Sequence, residues 1–312
     1  MEVNLDDVTR ILIEHKITPN TVVLFQSNNR ITDYIIDQKF ILRLSKSKLI
    51  EQSKLEKVQL ISFVPKIHAS GETTISETKL YYMITDFVVG NELFSEIPKL
   101  TSIQQRIIGK EIAKFLNELH QISDTYYDIG HYIPTILRFN SSWKEGHIRY
   151  INVLKSELLE YDLKQPNQDI IQSALHYIES NIDCLEYQTG PRLLHNDLHP
   201  KNIIVDAGRL AGIVDWECSQ YGEADFELAH LFHWCIYPPH PEEEFNILLQ
   251  SILENCRLLQ LIPNLEKRLT IYQLEHELNQ MIWAGMEQVT ERSQRIEGWL
   301  NGKIEKVIHD WK

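Results

Sequence analysis

Residues 195–202 read HNDLHPKN, and thirteen positions after Asn202 the apolar run LAGIV ends in Asp215. Asn202 itself stands five positions after Asp197. Phosphoryl transfer needs a carboxylate near an acceptor hydroxyl, to orient it and take its proton, and oxygen ligands that hold Mg²⁺ against phosphate oxygens. Mg²⁺ favours octahedral oxygen coordination and keeps several waters, so one carboxylate, one amide oxygen and the phosphates are enough. A loop between strands presents Asp197 and Asn202 together, and a β-hairpin turning at Ala207 and Gly208 brings Asp215 opposite them. The plainer reading, a polar loop with incidental histidines and an aspartate in a turn, gives way once the flanking elements are considered.

Those elements change character along the chain. TVVLFQ, TDYIID and KFILRLS, between Thr21 and Ser45, alternate or cluster β-branched and aromatic residues, which predicts three short antiparallel strands. Residues 47–63 place Leu49, Leu55, Val58, Leu60 and Ile61 near helical spacing, and Pro65 stops the run. PKIHAS and KLYYMITDFVV read as two more strands joined by a polar turn, SGETTISE. After Gly90 the period shifts from 2 to 3.6, with helices expected over 101–121, 144–160 and 166–186 and again from Ala224 onward. The chain therefore divides into a sheet-rich N-terminal lobe, 1–89, and a larger, mainly helical C-terminal lobe, 90–312. The fold class is α+β, with a five-stranded antiparallel sheet plus helix in the first lobe and a ligand cleft between the lobes as the default site.

HNDLHPKN, IVDWE and GEADFELA, together with LNELH at 116–120, resemble in order the motifs of the aminoglycoside phosphotransferase and choline kinase superfamily. This is the small-molecule branch of the protein-kinase-like fold. The resemblance makes Asp197 the catalytic base, Asn202 and Asp215 the Mg²⁺ ligands, His195 a residue that orients the loop, and Asp225 its brace. A helix-capping role for Asp225 is compatible with this. It implies ATP or GTP as donor and a small-molecule hydroxyl as acceptor.

In the first lobe the third strand offers Arg43 for the nucleotide phosphates, with Glu56 as its helix partner and Glu51 as runner-up. Arginine is always charged and suits phosphate oxygens. An ordinary surface arginine is the alternative. The first hairpin, FQSNNRIT, contains no glycine, so Ser27 is left to offer a hydroxyl to the phosphates. The nucleotide base should meet backbone near Thr85, Asp86, Phe87 and Val88, whereas Tyr82 and Met83 read as core.

The 312 residues carry 31 Lys+Arg against 44 Asp+Glu, a net charge of −13. That balance, with no basic stripe, argues against a nucleic-acid partner. The four cysteines show no CxxC spacing, the first residues are acidic rather than basic and apolar, and no apolar run reaches a membrane span, so a cytoplasmic protein with reduced core thiols is expected. Zinc between His195 and His199 is disfavoured, because Pro200 breaks the helix that such spacing needs.

For the acceptor, Glu217, Glu242, Glu243 and Glu244, with Glu275, Glu277, Glu287 and Glu291 further on, would suit a cation, and Trp234 or Trp283 could stack on a ring. A solvated acidic face is the bland alternative. An aminoglycoside-like amino sugar is the first expectation. Choline, ethanolamine, homoserine or a sugar is the second, and a nucleotide-binding protein with little turnover the third.

Overall fold

The computed structural model describes residues 3–49, 51–129, 137–160, 165–237, 245–284 and 289–309. By packing, the chain forms two compact units, Met1–Glu96 with Lys201–Glu217, and Ile97–Pro200 with Cys218–Lys312. A cut placed after Val89 differs from this division. Residues 91–92 and the hairpin 203–213 both pack with the first unit, because Ile204 and Val205 pair antiparallel with Glu92 and Asn91. Gly90 permits that pairing: a Cβ there would lie 2.5 Å from the Val205 carbonyl, and its φ is +139°.

The first unit is built on five antiparallel strands, β1 (Val22–Ser27), β2 (Ile31–Ile36), β3 (Phe40–Ser45), β4 (Ile67–Ile75) and β5 (Thr78–Asp86), in the order β1-β2-β3-β5-β4. Alternation sorts their side chains. Tyr34, Leu42 and Ile84 share one face and bury against Val8, Ile11 and Leu12 of the helix Leu5–Glu14. No element was expected before Thr21, yet its signals are legible: Asn4 caps the helix by accepting from the Asp7 amide, and the apolar residues fall at i, i+3 and i+4.

Two expected elements differ. The helix expected over 47–63 shrinks to Gln52–Leu55 and a 3₁₀ turn, Glu56–Val58. The Gln59 side chain donates to the Leu55 and Pro65 carbonyls and accepts from the Ile67 amide, replacing the next helical turn. The eight residues expected as a turn are mostly strand, since the β-branched Thr73, Thr74 and Ile75 extend β4. The turn itself is only Ser76 and Glu77, both at positive φ.

The second unit is mainly helical. Ser102–Leu119 and Trp143–Leu158 each begin in a capping box, Thr101 with Gln104 and Ser142 with Glu145. The third expected helix ends at Asn181 and tightens into a 3₁₀ turn, Ile182–Glu186. The helices Leu228–Ile236 and Leu265–Ala284 pack on the 3₁₀ turn Ala224–Glu227, which also contacts the strand Arg192–Leu194; this strand pairs with Gln220–Gly222 and leads straight into the HNDLHPKN loop. No described helix is long and apolar enough to cross a membrane, and no disulfide joins the four cysteines.

Candidate active site

Within the first unit, register partners line up one row across all five strands: Gln26, Asp33, Arg43, Met83 and Ser70. This row lies on the face opposite the Leu5–Glu14 helix, and its first four members line a cleft of about 330 Å³. Arg43 donates through Nε to Asp33 Oδ1 (3.0 Å), through Nη2 to Asp33 Oδ2 (2.9 Å) and through Nη1 to Glu51 Oε1 (2.8 Å). Glu51, not Glu56, is therefore the partner from the helical segment. The helix is a single turn, Glu51 lies at its start facing the sheet, and the Glu56 carboxylate instead accepts from Gln52. Asp33 was not foreseen. It stands directly across from Arg43 in the β2–β3 register, a signal that pairing the strands would have supplied.

Burial opposes the charge on Arg43, but its hydrogen bonds to Asp33 and the fields of Glu51, Asp33 and Asp215 outweigh this and raise its pKa. Burial also raises Glu51, Asp215 and Glu217, each partly offset by Arg43. Asp215 remains open to solvent in the cleft, yet is crowded enough that losing water weighs against its charge.

Ser27 ends β1 with its hydroxyl 3.0 Å from that of Thr32, while Phe25 and Gln26 reach the cleft at a bulge in β1. Thr85, Asp86, Phe87 and Val88 all line it. The Asp86 carboxylate is engaged by the Lys66 amide and His68, and the amides of Asp86 and Phe87 donate to Lys66 and Lys39 carbonyls. Among the described residues the Val88 amide donates to no backbone carbonyl.

The hairpin Ile203–Asp206 and Arg209–Ile213, turned by Ala207 and Gly208 at positive φ, sets Asn202 beside Val214, whose amide donates to the Asn202 carbonyl (3.0 Å). Asp215 follows at φ +65°, a left-handed conformation that aspartate tolerates better than most residues. Asn202 and Asp215 thus line the same cleft as Arg43. Among the described residues no group of three His, Cys, Asp or Glu could hold a metal alone. The pair fits Mg²⁺ only as a shared ligand set, an amide oxygen and a carboxylate completed by phosphate and water.

In the second unit the HNDLHPKN loop is held from beneath by Glu227. Its Oε2 accepts from the His195 amide (2.7 Å) and its Oε1 from the Asn196 amide (2.9 Å). His195 is fully buried, and its Nδ1 accepts from the Asp197 amide at 3.3 Å. The Asp197 carboxylate lies 3.6 Å from His199 Nε2 and 3.6 Å from His230 Nδ1.

Asp225 neither braces this loop directly nor forms an exposed cap. It is buried and forks Arg268 through Nε and Nη2 (the latter at 3.0 Å), and Arg268 in turn ties down the carbonyls of Cys184 and Tyr187. The 3₁₀ turn Ala224–Glu227 aims alternate carboxylates in different directions. Glu223, just before it, accepts from the Thr189 and Gly190 amides. The spacing E-A-D-F-E within an apolar run was the available signal.

Glu227 yields a pH prediction. Burial lifts its pKa to about 7, against the pull of the Asn196 and His195 amides. The folded state holds this proton more tightly than the unfolded chain, so its contribution is fully present below the ordinary glutamate range and is lost as pH rises to about 7. Relative to the parent, Glu227→Gln should gain up to about 3 kcal/mol between pH 4.5 and 8. Urea melts of both proteins across that range check it, and parallel curves would refute it.

With this geometry in hand, comparison with known proteins places the chain. The family model described as "Phosphotransferase enzyme family" matches residues 20–259. The chain belongs to this phosphotransferase family. Among curated relatives, hygromycin-B 4-O-kinase of Escherichia coli is 33% identical over 52 residues, 17% of this chain and 14% of that protein. Protein LicA homolog of Mycoplasma capricolum subsp. capricolum is 24% identical over 198 residues, 64% of this chain and 66% of that protein. The chain thus matches less than two thirds of the length of either relative. Solved structures share the fold. Aminoglycoside phosphotransferase APH(2'')-Ib, ADP-bound, is 17% identical with a TM-score of 0.62, covering 95% of this chain and 98% of that one. The GDP complex of aminoglycoside 2'-phosphotransferase-IIIa is 14% identical with a TM-score of 0.65, covering 99% and 100%.

The residues expected to meet an acceptor scatter. Trp234 lies with its ring 5.0 Å from that of His199, close to Asp197. Trp283 is 67% exposed near the end of its helix, and Glu242, Glu243, Glu244 and Glu287 lie outside the described residues. Glu217 belongs to the first unit, in the field of Asp215 and Arg43. Glu275 is buried against His147 Nδ1 (2.8 Å), and Glu277 is buried between His233, Arg292 and Trp299. Glu291 pairs with Arg295. A carboxylate already committed to an internal partner has little left for a ligand cation. Sequence spacing does not reveal such commitments.

Proposed function

We propose that this phosphotransferase moves the γ-phosphate of ATP or GTP, with Mg²⁺, onto a hydroxyl of a small molecule in the cytoplasm. The observation that carries the reading is the first-unit cleft lined by Arg43, Asn202 and Asp215, with Asn202 five residues along the chain from Asp197. Residues 1–89 serve the nucleotide, and 90–312 carry catalysis and the acceptor. Asn202 and Asp215 hold the metal, which when bound neutralises the phosphate oxygens. Asp197 orients the acceptor hydroxyl and takes its proton, and Glu227 keeps the loop in place while it does so.

An aminoglycoside-like amino sugar is the first acceptor class. In its support, relatives of the same fold have been solved with streptomycin, gentamicin and hygromycin B. A second reading, a small alcohol such as choline, ethanolamine, homoserine or a sugar, is favoured by the internal commitment of Glu275 and Glu277 and by the histidine and tryptophan rings near Asp197.

The test is ADP and GDP release from ATP and GTP across a panel of both classes, with and without Mg²⁺. Mg²⁺-dependent turnover with one class, reduced at least about 100-fold in Asp215→Ala, is expected. Nucleotide binding without transfer to any acceptor would favour a binding protein instead.

A further inference from the structure

Arg43 is the residue expected to meet the nucleotide phosphates, but the edge of its guanidinium best suited to that task is already taken. The Nε and Nη2 pair forms a two-pronged fork that matches two oxygens of one carboxylate or phosphate. Here both prongs go to the two oxygens of Asp33, at 3.0 and 2.9 Å, while Nη1 goes to Glu51. A single carboxylate on Nη1 would hold the side chain in place and leave the fork open. The second carboxylate closes it.

We propose that Asp33 is a gate on Arg43, occupying the fork that a nucleotide phosphate would take, so that nucleotide enters by exchanging a pair of phosphate oxygens for the Asp33 carboxylate. This rests on the nucleotide reading of the cleft given above.

Three observations support exchange rather than a static brace. The first is a second donor on Asp33: the Gln26 side-chain amide, from the glycine-free first hairpin, bonds Oδ2, so the carboxylate keeps a partner when Arg43 turns away. Leaving a buried carboxylate bare would otherwise oppose the swap, since Asp33 is only 2% exposed. The second is continuity. Gln26, Asp33 and Arg43 are successive members of one cross-strand row and all line the cleft, so the swap needs side-chain rotation only. The third is charge. Four carboxylates, Asp33, Glu51, Asp215 and Glu217, lie within the field of Arg43, and Lys201 is a second cation in the cleft lining, so acids outnumber bases and a phosphate is better received once one carboxylate withdraws or a metal cation accompanies it.

Asp33 is on this account a positioning residue, and its removal should tighten binding. Calorimetric titration with ATP and with tripolyphosphate, each without divalent metal, would be run on the parent, Asp33→Asn and Glu51→Gln. Asp33→Asn should bind both probes about ten-fold more tightly than the parent, even as its melting temperature falls, because a charge is removed and the fork is opened together. Glu51→Gln removes an equal charge but leaves the fork closed, and should gain far less.

Equal gains in the two variants would reduce the effect to charge and overturn the exchange. Weaker or unchanged binding by Asp33→Asn, with ATP still bound by the parent, would overturn the gate alone. Failure of every protein to bind either probe would overturn the gate and the nucleotide reading together. In the unaltered protein, the ¹⁵N-resolved Arg43 Nε–H resonance should shift on adding ATP. A signal that stays put while ATP binds would overturn the exchange even if the variants do not fold.

Discussion

Replacing Asp197 with alanine should lower phosphoryl transfer roughly 10³-fold while leaving nucleotide affinity within a factor of about two. The loss is expected to fall on kcat because the proposed role of Asp197 is at the acceptor hydroxyl, where a positioned base contributes only as the proton moves. Affinity should persist because the cleft residues Arg43, Asn202 and Asp215 belong to the first compact unit, whereas Asp197 belongs to the second. The loop should keep its path, since Glu227 grips the backbone amides of His195 and Asn196 rather than the Asp197 side chain. Single-turnover transfer and nucleotide calorimetry on the same preparation separate the two quantities. Transfer at the parent rate would remove Asp197 from the base role.

The largest loss of stability is expected from Asp225→Ala. Arg268 is fully buried, and Asp225 accepts from two of its nitrogens and from the Tyr272 hydroxyl. Removing the carboxylate strands a guanidinium where water cannot reach it, which costs about 3–5 kcal/mol. The melting temperature should fall by roughly 10 °C. The Arg268 bonds to the Cys184 and Tyr187 carbonyls limit the damage but do not neutralise the charge. The diagnostic experiment is the double variant Asp225→Ala with Arg268→Met. If the cost is the orphaned charge, the double variant should be more stable than Asp225→Ala alone. A double variant that is less stable would mean that the arginine's other contacts carry the stability.

Both predictions depend on which partner a buried charge has found, and this is where sequence and structure part. The five strands were legible because alternation of β-branched and aromatic residues reports the period of a strand directly. So was the turn at Ala207 and Gly208, and with it the meeting of Asn202 and Asp215, because antiparallel register is local once the turn is known. Over 47–63 the helical spacing overstates the helix, because Gln59 ends it through side-chain bonds to carbonyls and an amide that no periodicity records.

The carboxylates show the same division. The residues proposed to carry the chemistry stand out in HNDLHPKN and IVDWE by their order and spacing alone, and a hairpin is enough to bring Asn202 and Asp215 to one cleft. It took the tertiary structure to decide that Arg43 pairs with Asp33 and Glu51 rather than Glu56, that Glu227 rather than Asp225 holds the loop, and that Glu275 and Glu277 serve internal partners. The physical reason is that a charge withdrawn from water must be met within about 3 Å, at an angle fixed by the backbone beneath it. Which of several nearby acids meets that demand depends on elements distant in the chain, and spacing along the chain carries no record of it.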